Sequence, residues 1–150
     1  MFDVDLLKGY YTGNGVKIAL IDTGVKNDIQ KRFIVKDYHY NSENDSVVEG
    51  EKNQLLSDHG LACASKILEV ASGVNIINID VENSEGEILE TVVCKAIKFA
   101  IDNNCEIINC SLGFYEYSKE LHEICKDAYN NDIIVIAAAS QISCSSFEYS

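Results

Sequence analysis

Three short segments hold the residues whose types and spacing amount to chemistry. Val16 to Val25 reads V-K-I-A-L-I-D-T-G-V, an apolar run that delivers a carboxylate, Asp22, into a Thr-Gly turn. Asp58 to Ala62 reads D-H-G-L-A and sets His59 at the start of a helix-forming stretch. Ile107 to Gly113, I-I-N-C-S-L-G, is a second apolar run ending in small and polar residues. An Asp at a strand end and a His at a helix start make two-thirds of a charge relay. The carboxylate holds one imidazole nitrogen and fixes the tautomer, leaving the other nitrogen to take a proton from a serine hydroxyl. Taken singly, the plainer readings prevail, a turn-forming Asx residue for Asp22 and a surface cap residue for His59.

The elements that must position these residues follow from hydrophobic periodicity. Val16 to Ile21 reads as a first strand, apolar throughout, as suits a parallel sheet covered on both faces. Lys26 to Ser57 is polar and irregular and reads as surface loop, with at most a short strand near Phe33 to Val35. Gly60 to Ala71 predicts a helix, with Ala64, Ile67, Leu68 and Ala71 on one face. Val74 to Val81 predicts a strand, and Ile88 to Asn103 a helix whose stripe runs through Leu89, Val92, Val93, Ala96, Ile97, Ala100 and Ile101. Glu106 to Ser111 is the next strand, Ser118 to Asn131 the next helix, and Ile133 to Ala139 the last strand. This alternation is the pattern of an α/β domain, a parallel sheet built from βαβ units. Ligands and catalysis gather at the carboxyl ends of such strands.

At 150 residues the expectation is a single domain, 1–150. A net charge of −12 argues against nucleic acid as a partner, since phosphate binding needs a basic footprint. No stretch reaches the roughly 20 apolar residues of a membrane span. The opening M-F-D-V-D-L-L-K has no basic region followed by an apolar one, so no signal peptide is expected. The six cysteines lie mainly within apolar segments and form no Cys-x-x-Cys pair. They read as reduced thiols of a cytoplasmic protein, with Cys63 a packed helical thiol and no zinc site. Gly13-Asn14-Gly15 precedes the first strand instead of following it, which places a nucleotide-binding, flavodoxin-like reading last.

The three segments, in this order and spacing, resemble the N-terminal half of the subtilisin-like serine proteases, the subtilases. The resemblance begins at Gly9-Tyr10-Tyr11-Thr12-Gly13, and from Val81 to Gly113 it follows the family pattern almost without gaps. It implies that Asp22 is the catalytic aspartate of the Asp-Thr/Ser-Gly motif and His59 the histidine of the His-Gly-Thr-His motif. It implies that Ser111, Leu112 and Gly113 pair with an extended substrate peptide as an added strand, with Gly86 and Glu87 on the opposite wall. Ile133 to Ala139 resembles the strand leading to the oxyanion-hole asparagine, whose position falls on Gln141. The implied reaction is peptide-bond hydrolysis through a serine acyl-enzyme, with no cofactor and no metal.

Several positions depart from the family. The nucleophile's Gly-Thr-Ser segment does not occur in residues 1–150. Ala139-Ser140-Gln141 stands for Ala-Gly-Asn, and Leu61-Ala62 for the Thr-His after the catalytic His-Gly. The expectation is therefore a truncated endopeptidase domain, inactive by itself because a dyad without its serine forms no acyl-enzyme. Two alternatives accompany it: a non-catalytic peptide-binding pseudo-protease, and half of a split protease. Sheet surface that the rest of the family domain would cover implies a complementing C-terminal half or a homo-oligomer.

Overall fold

In a computed structural model, residues 10–26, 33–52, 55–114 and 116–138 are described. Six strands form one sheet: β1 (Lys17–Asp22), β2 (Ile34–Asn41), β3 (Ser46–Glu49), β4 (Asn75–Asp80), β5 (Ile107–Cys110) and β6 (Ile134–Ala137). Among the described residues three helices accompany them, α1 (His59–Val70), α2 (Glu90–Asp102) and α3 (Lys119–Asn130). The strand order is β3-β2-β4-β1-β5-β6, parallel throughout except for the β2–β3 hairpin. The fold is thus α/β with a mostly parallel sheet, and the periodic segments form the elements they predict to within a residue or two. None of the described helices is long and apolar enough to cross a membrane.

β1 sits inside the sheet and its last five residues are all buried. Alternate residues serve opposite layers. Ala19 and Ile21 join a core with Ile77, Ile79, Ile97, Ala100 and Ile108 beneath α2 and α3. Ile18 and Leu20 join Ala64, Val74 and Ile76 beneath α1. Burying both faces removes any need for polar alternation, hence the unbroken apolar run.

The stretch read as surface loop is a correction. Residues 34–49 contain the β2–β3 hairpin, in which Tyr38 pairs with Glu49 and Asn41 with Ser46. Only Tyr38 of β2 is fully buried, edge-on to Phe99 with ring centroids 4.6 Å apart. The polar residues find lateral partners: Asn78 Nδ2 donates to Asp37 Oδ1 at 3.1 Å, and His39 Nδ1 lies 2.9 Å from the Gly50 carbonyl. Tertiary pairing therefore overrides a composition that reads as loop.

At the other edge, β6 is thinly covered. Ile134 is 59% exposed and Ile136 50%, both on the α1 face, where α1 does not reach. Residues 139–150, including Gln141, lie outside the described residues.

Candidate active site

Because five strands run parallel, their carboxyl ends share one rim. β1 lies between β4 and β5, so Asp22 stands in register with Asp80 on one side, and Ile21 with Cys110 on the other. Ser111, one residue past Cys110, therefore flanks Asp22. Asp22 is completely buried. Its Oδ1 accepts the Thr23 amide at 2.8 Å and lies 2.8 Å from His59 Nδ1. With the proton on Nδ1, the ring donates to the carboxylate and presents Nε2 as the free base. The His59 side chain is 51% exposed, and Nε2 makes no hydrogen bond among the described residues.

What seats the imidazole is the joint between the β1 turn and α1. Asp58 precedes the helix without a side-chain cap bond. The capping acceptor comes instead from the Thr23 hydroxyl, which takes the Gly60 N–H at 3.0 Å. Gly60 rests directly on Gly24: a Cβ added at Gly60 would lie 2.3 Å from the Gly24 carbonyl oxygen. Gly24 itself has φ +84, where L side chains are strained. Thr-Gly and His-Gly are therefore two halves of one contact, and the contact fixes where His59 begins.

Cys63, read from the sequence as a packed helical thiol, belongs to this site, and Asp80, which did not stand out from the sequence, lies beside Asp22 on the rim. Cys63, one turn along α1, has Sγ 3.8 Å from His59 Nδ1. Asp22, His59 and Cys63 offer ligand-type atoms within 4.8 Å of one another. Burial pushes the Cys63 thiol up, a hydrogen bond from Ser111 opposes this, and the Asp22 charge adds to it. The i, i+4 spacing of His59 and Cys63 was the available signal. Asp80 is buried, with Oδ1 accepting the Glu82 amide at 2.9 Å and Lys52 Nζ at 3.2 Å. Burial raises its carboxyl, and the Lys52 charge partly offsets that. Its signal was the alternation Asn78-Ile79-Asp80, which turns two polar residues toward one face of a buried strand.

Ser111, Leu112 and Gly113 continue from β5 on the rim, with Ser111 Oγ accepting from Asn109 Nδ2 at 2.9 Å. The ladder to β6 ends with Cys110 and Ala137, so the backbone of Ser111 to Gly113 is unpaired among the described residues. Beside it opens an apolar cavity of about 190 Å³, lined by Leu112, Gly113, Phe114, Val135 and Ala138 among others. Gly86 and Glu87 are exposed in a turn after β4, where Asn83 Oδ1 accepts the Glu87 amide at 2.8 Å. They rise from the same rim on the far side of β1. The structure thus brings Asp22 and His59 into contact with Cys63 beside them, and Ser111 lines the same groove as Cys63. Among the described residues, Gly86 and Glu87 make no hydrogen bond with that cluster.

Residues 13–146 match the subtilase family of peptidases. Among curated proteins, the chain is similar to subtilisin DY of Bacillus licheniformis, 31% identical over 139 residues, covering 86% of this chain and 48% of that protein. It is also similar to the intracellular serine protease of Paenibacillus polymyxa, 31% identical over 140 residues, covering 85% of this chain and 42% of that one. A solved structure described as a cold adapted subtilisin-like serine proteinase superposes with a TM-score of 0.67 at 23% identity, covering 87% of this chain and 48% of the other, a likeness of fold. The chain spans less than half the length of each.

Proposed function

Since this chain belongs to the subtilase family, we propose that it carries the Asp22–His59 part of a serine-peptidase relay together with the strand edge that holds an extended peptide. The observation that carries this reading is the 2.8 Å contact between His59 Nδ1 and an Asp22 carboxylate that is wholly buried. In the relay, Nε2 takes the proton of a serine hydroxyl as its oxygen bonds to the peptide carbonyl carbon. Asp22 stabilises the imidazolium so formed, which then returns the proton to the departing amine. Gln141, at the oxyanion position by resemblance, brings two amide N–H donors to the carbonyl oxygen. The serine comes from a Gly-Thr-Ser segment outside these 150 residues, in a complementing half or a longer chain.

Substrate is held by strand addition along Ser111 to Gly113, whose backbone groups, unpaired among the described residues, supply affinity for extended peptides irrespective of sequence. Gly86 and Glu87 form the facing wall. A second reading, a peptide-capturing pseudo-protease, is favoured by the same unpaired edge and by Leu61-Ala62 in place of Thr-His. The exposed Ile134 and Ile136 support a complementing half or a second copy packed on β6. The unpaired, buried thiols Cys94, Cys105 and Cys110 suit a reducing, cytoplasmic setting.

The test is to titrate the chain with an extended, chromogenic peptide, alone and with a subtilase C-terminal half bearing Gly-Thr-Ser. The relay reading expects binding without cleavage for the chain alone, cleavage on complementation, and loss of that cleavage in His59→Ala. Binding with no cleavage on complementation selects the pseudo-protease. Absence of binding that Gly113→Pro can weaken overturns both.

A further inference from the structure

We propose that Asp22, His59 and Cys63 together form a binding site for a thiophilic divalent cation of the zinc type. The three side chains supply a carboxylate oxygen, an imidazole nitrogen and a sulfur, with their ligand-type atoms within 4.8 Å of one another. A tetrahedral ion holding N, O and S at its usual bond lengths sets those atoms about 3.3–3.6 Å apart. His59 Nδ1 and Cys63 Sγ stand 3.8 Å apart, close to that spacing. Nδ1 and Asp22 Oδ1 stand 2.8 Å apart and must separate by about half an ångström, a movement the half-exposed ring can make.

A second observation, on the hydrogen bonding of Asp22, also points to a ligand. Asp22 is fully buried and its Oδ2 has no hydrogen-bond partner among the described residues, so a carboxylate is held out of water with one oxygen unused there. No lysine or arginine among the described residues pairs with it. Buried carboxylates are stable when paired or when they coordinate metal. A dication bound by a carboxylate, a thiolate and a neutral imidazole leaves the site with no net charge. The ligand set mixes nitrogen, sulfur and oxygen donors, which suits zinc better than calcium or magnesium. Cys63 also lines an open groove with Ala62, Lys66, Ile67, Asn109 and Ser111, so the cluster is reached by solvent on the Cys63 side. The sequence shows no such site because it is assembled across β1 and α1, with two ligands from one helical turn and one from a strand.

The cation and the relay compete for the same atom. Metal binding needs the Nδ1 lone pair, whereas the relay needs a proton there. Where the relay reading holds, an ion at this site takes His59 out of it. Binding itself does not depend on that reading.

The experiment is a titration of the intact 150-residue chain, reduced, with Co²⁺ as a spectroscopic substitute for zinc. One equivalent should give a near-ultraviolet thiolate-to-cobalt charge-transfer band, bleached by added Zn²⁺. Cys63→Ser should abolish the band, and His59→Ala and Asp22→Asn should each weaken Zn²⁺ binding at least about tenfold, in proteins with wild-type circular dichroism. No band in the wild type overturns the proposal. So does a band that survives Cys63→Ser, or zinc affinity unchanged in His59→Ala, whose half-exposed side chain can be removed without opening the core. All readouts are independent of peptide cleavage, so the site and the relay stand or fall separately.

Discussion

Replacing Gly60 by alanine sets two physical effects against each other at one atom. A Cβ there would stand 2.3 Å from the Gly24 carbonyl oxygen, 3.0 Å from the Gly24 carbonyl carbon and 3.1 Å from its nitrogen. The obstacle is backbone, so no rotamer change relieves it. To bring the oxygen to 3.0 Å, the helix start or the β1 turn must move by about 0.7 Å. His59 is the preceding residue, and the same movement takes its contact with Asp22 from 2.8 Å toward the limit of a hydrogen bond. Overpacking of this kind costs about 1–3 kcal/mol. Weakening the imidazole–carboxylate bond adds roughly 0.5–1.5 kcal/mol. Helix propensity pulls the other way, favouring alanine by at most about 1 kcal/mol. The steric term wins, and Gly60→Ala should be destabilised by about 1–3 kcal/mol, a fall in Tm of about 2–12 °C. Urea and thermal unfolding read the stability, and the Nδ1–H proton resonance of His59 reads the contact. Ala62→Gly, exposed on the same helix, isolates the propensity term. If Gly60→Ala is as stable as the wild type and keeps the His59 resonance, the joint between the two glycines is not what seats the imidazole.

Other outcomes follow from the same geometry. Burial holds the Asp80 carboxyl above 3.8, so the folded chain retains that proton more tightly than the unfolded chain does. The wild type should therefore lose stability relative to Asp80→Asn as pH rises from 3.8 through the raised value, and a pH-independent difference in urea midpoints would refute this. Burial, with the Asp22 charge adding to it, raises Cys63 above 9.0, so its alkylation by iodoacetamide should be slower at neutral pH than that of a small thiol. Asp22→Asn should speed that alkylation, as followed by peptide mass mapping; an unchanged rate sinks the electrostatic account. In the complemented protein, Asp22→Asn should lower kcat by about four orders of magnitude while leaving peptide binding intact. Ile134→Lys with Ile136→Lys should shift sedimentation equilibrium toward monomer; the same association in both proteins would clear β6 of an interface role.

The parallel core was legible from the sequence because a strand buried on both faces writes itself as an unbroken apolar run, as in Ile18 to Ile21. The helix stripes of α2 were equally plain, since residues at three- and four-residue spacing share one face. The β2–β3 hairpin was not. Lys36, Asp37 and His39 look solvated in one dimension, and their partners Glu49, Asn78 and Gly50 become neighbours only through the strand pairing. Asp80 was hidden for the converse reason: nothing in a strand sequence says that a carboxylate will be desolvated unless the covering layer is known.

By itself, then, the sequence determined the α/β class and the order of the elements outside the β2–β3 hairpin, and it singled out Asp22 and His59 as candidates. These depend on local periodicity and on motifs of adjacent residues. Only the tertiary structure decided that Gly60 rests on Gly24, that Thr23 caps α1, and that Cys63 shares Asp22 and His59. Those contacts join residues 36 to 41 positions apart, across a strand end and a helix start. Their strength comes from exclusion of water and from approaches of about 3 Å, quantities that have no value until the chain has closed on itself.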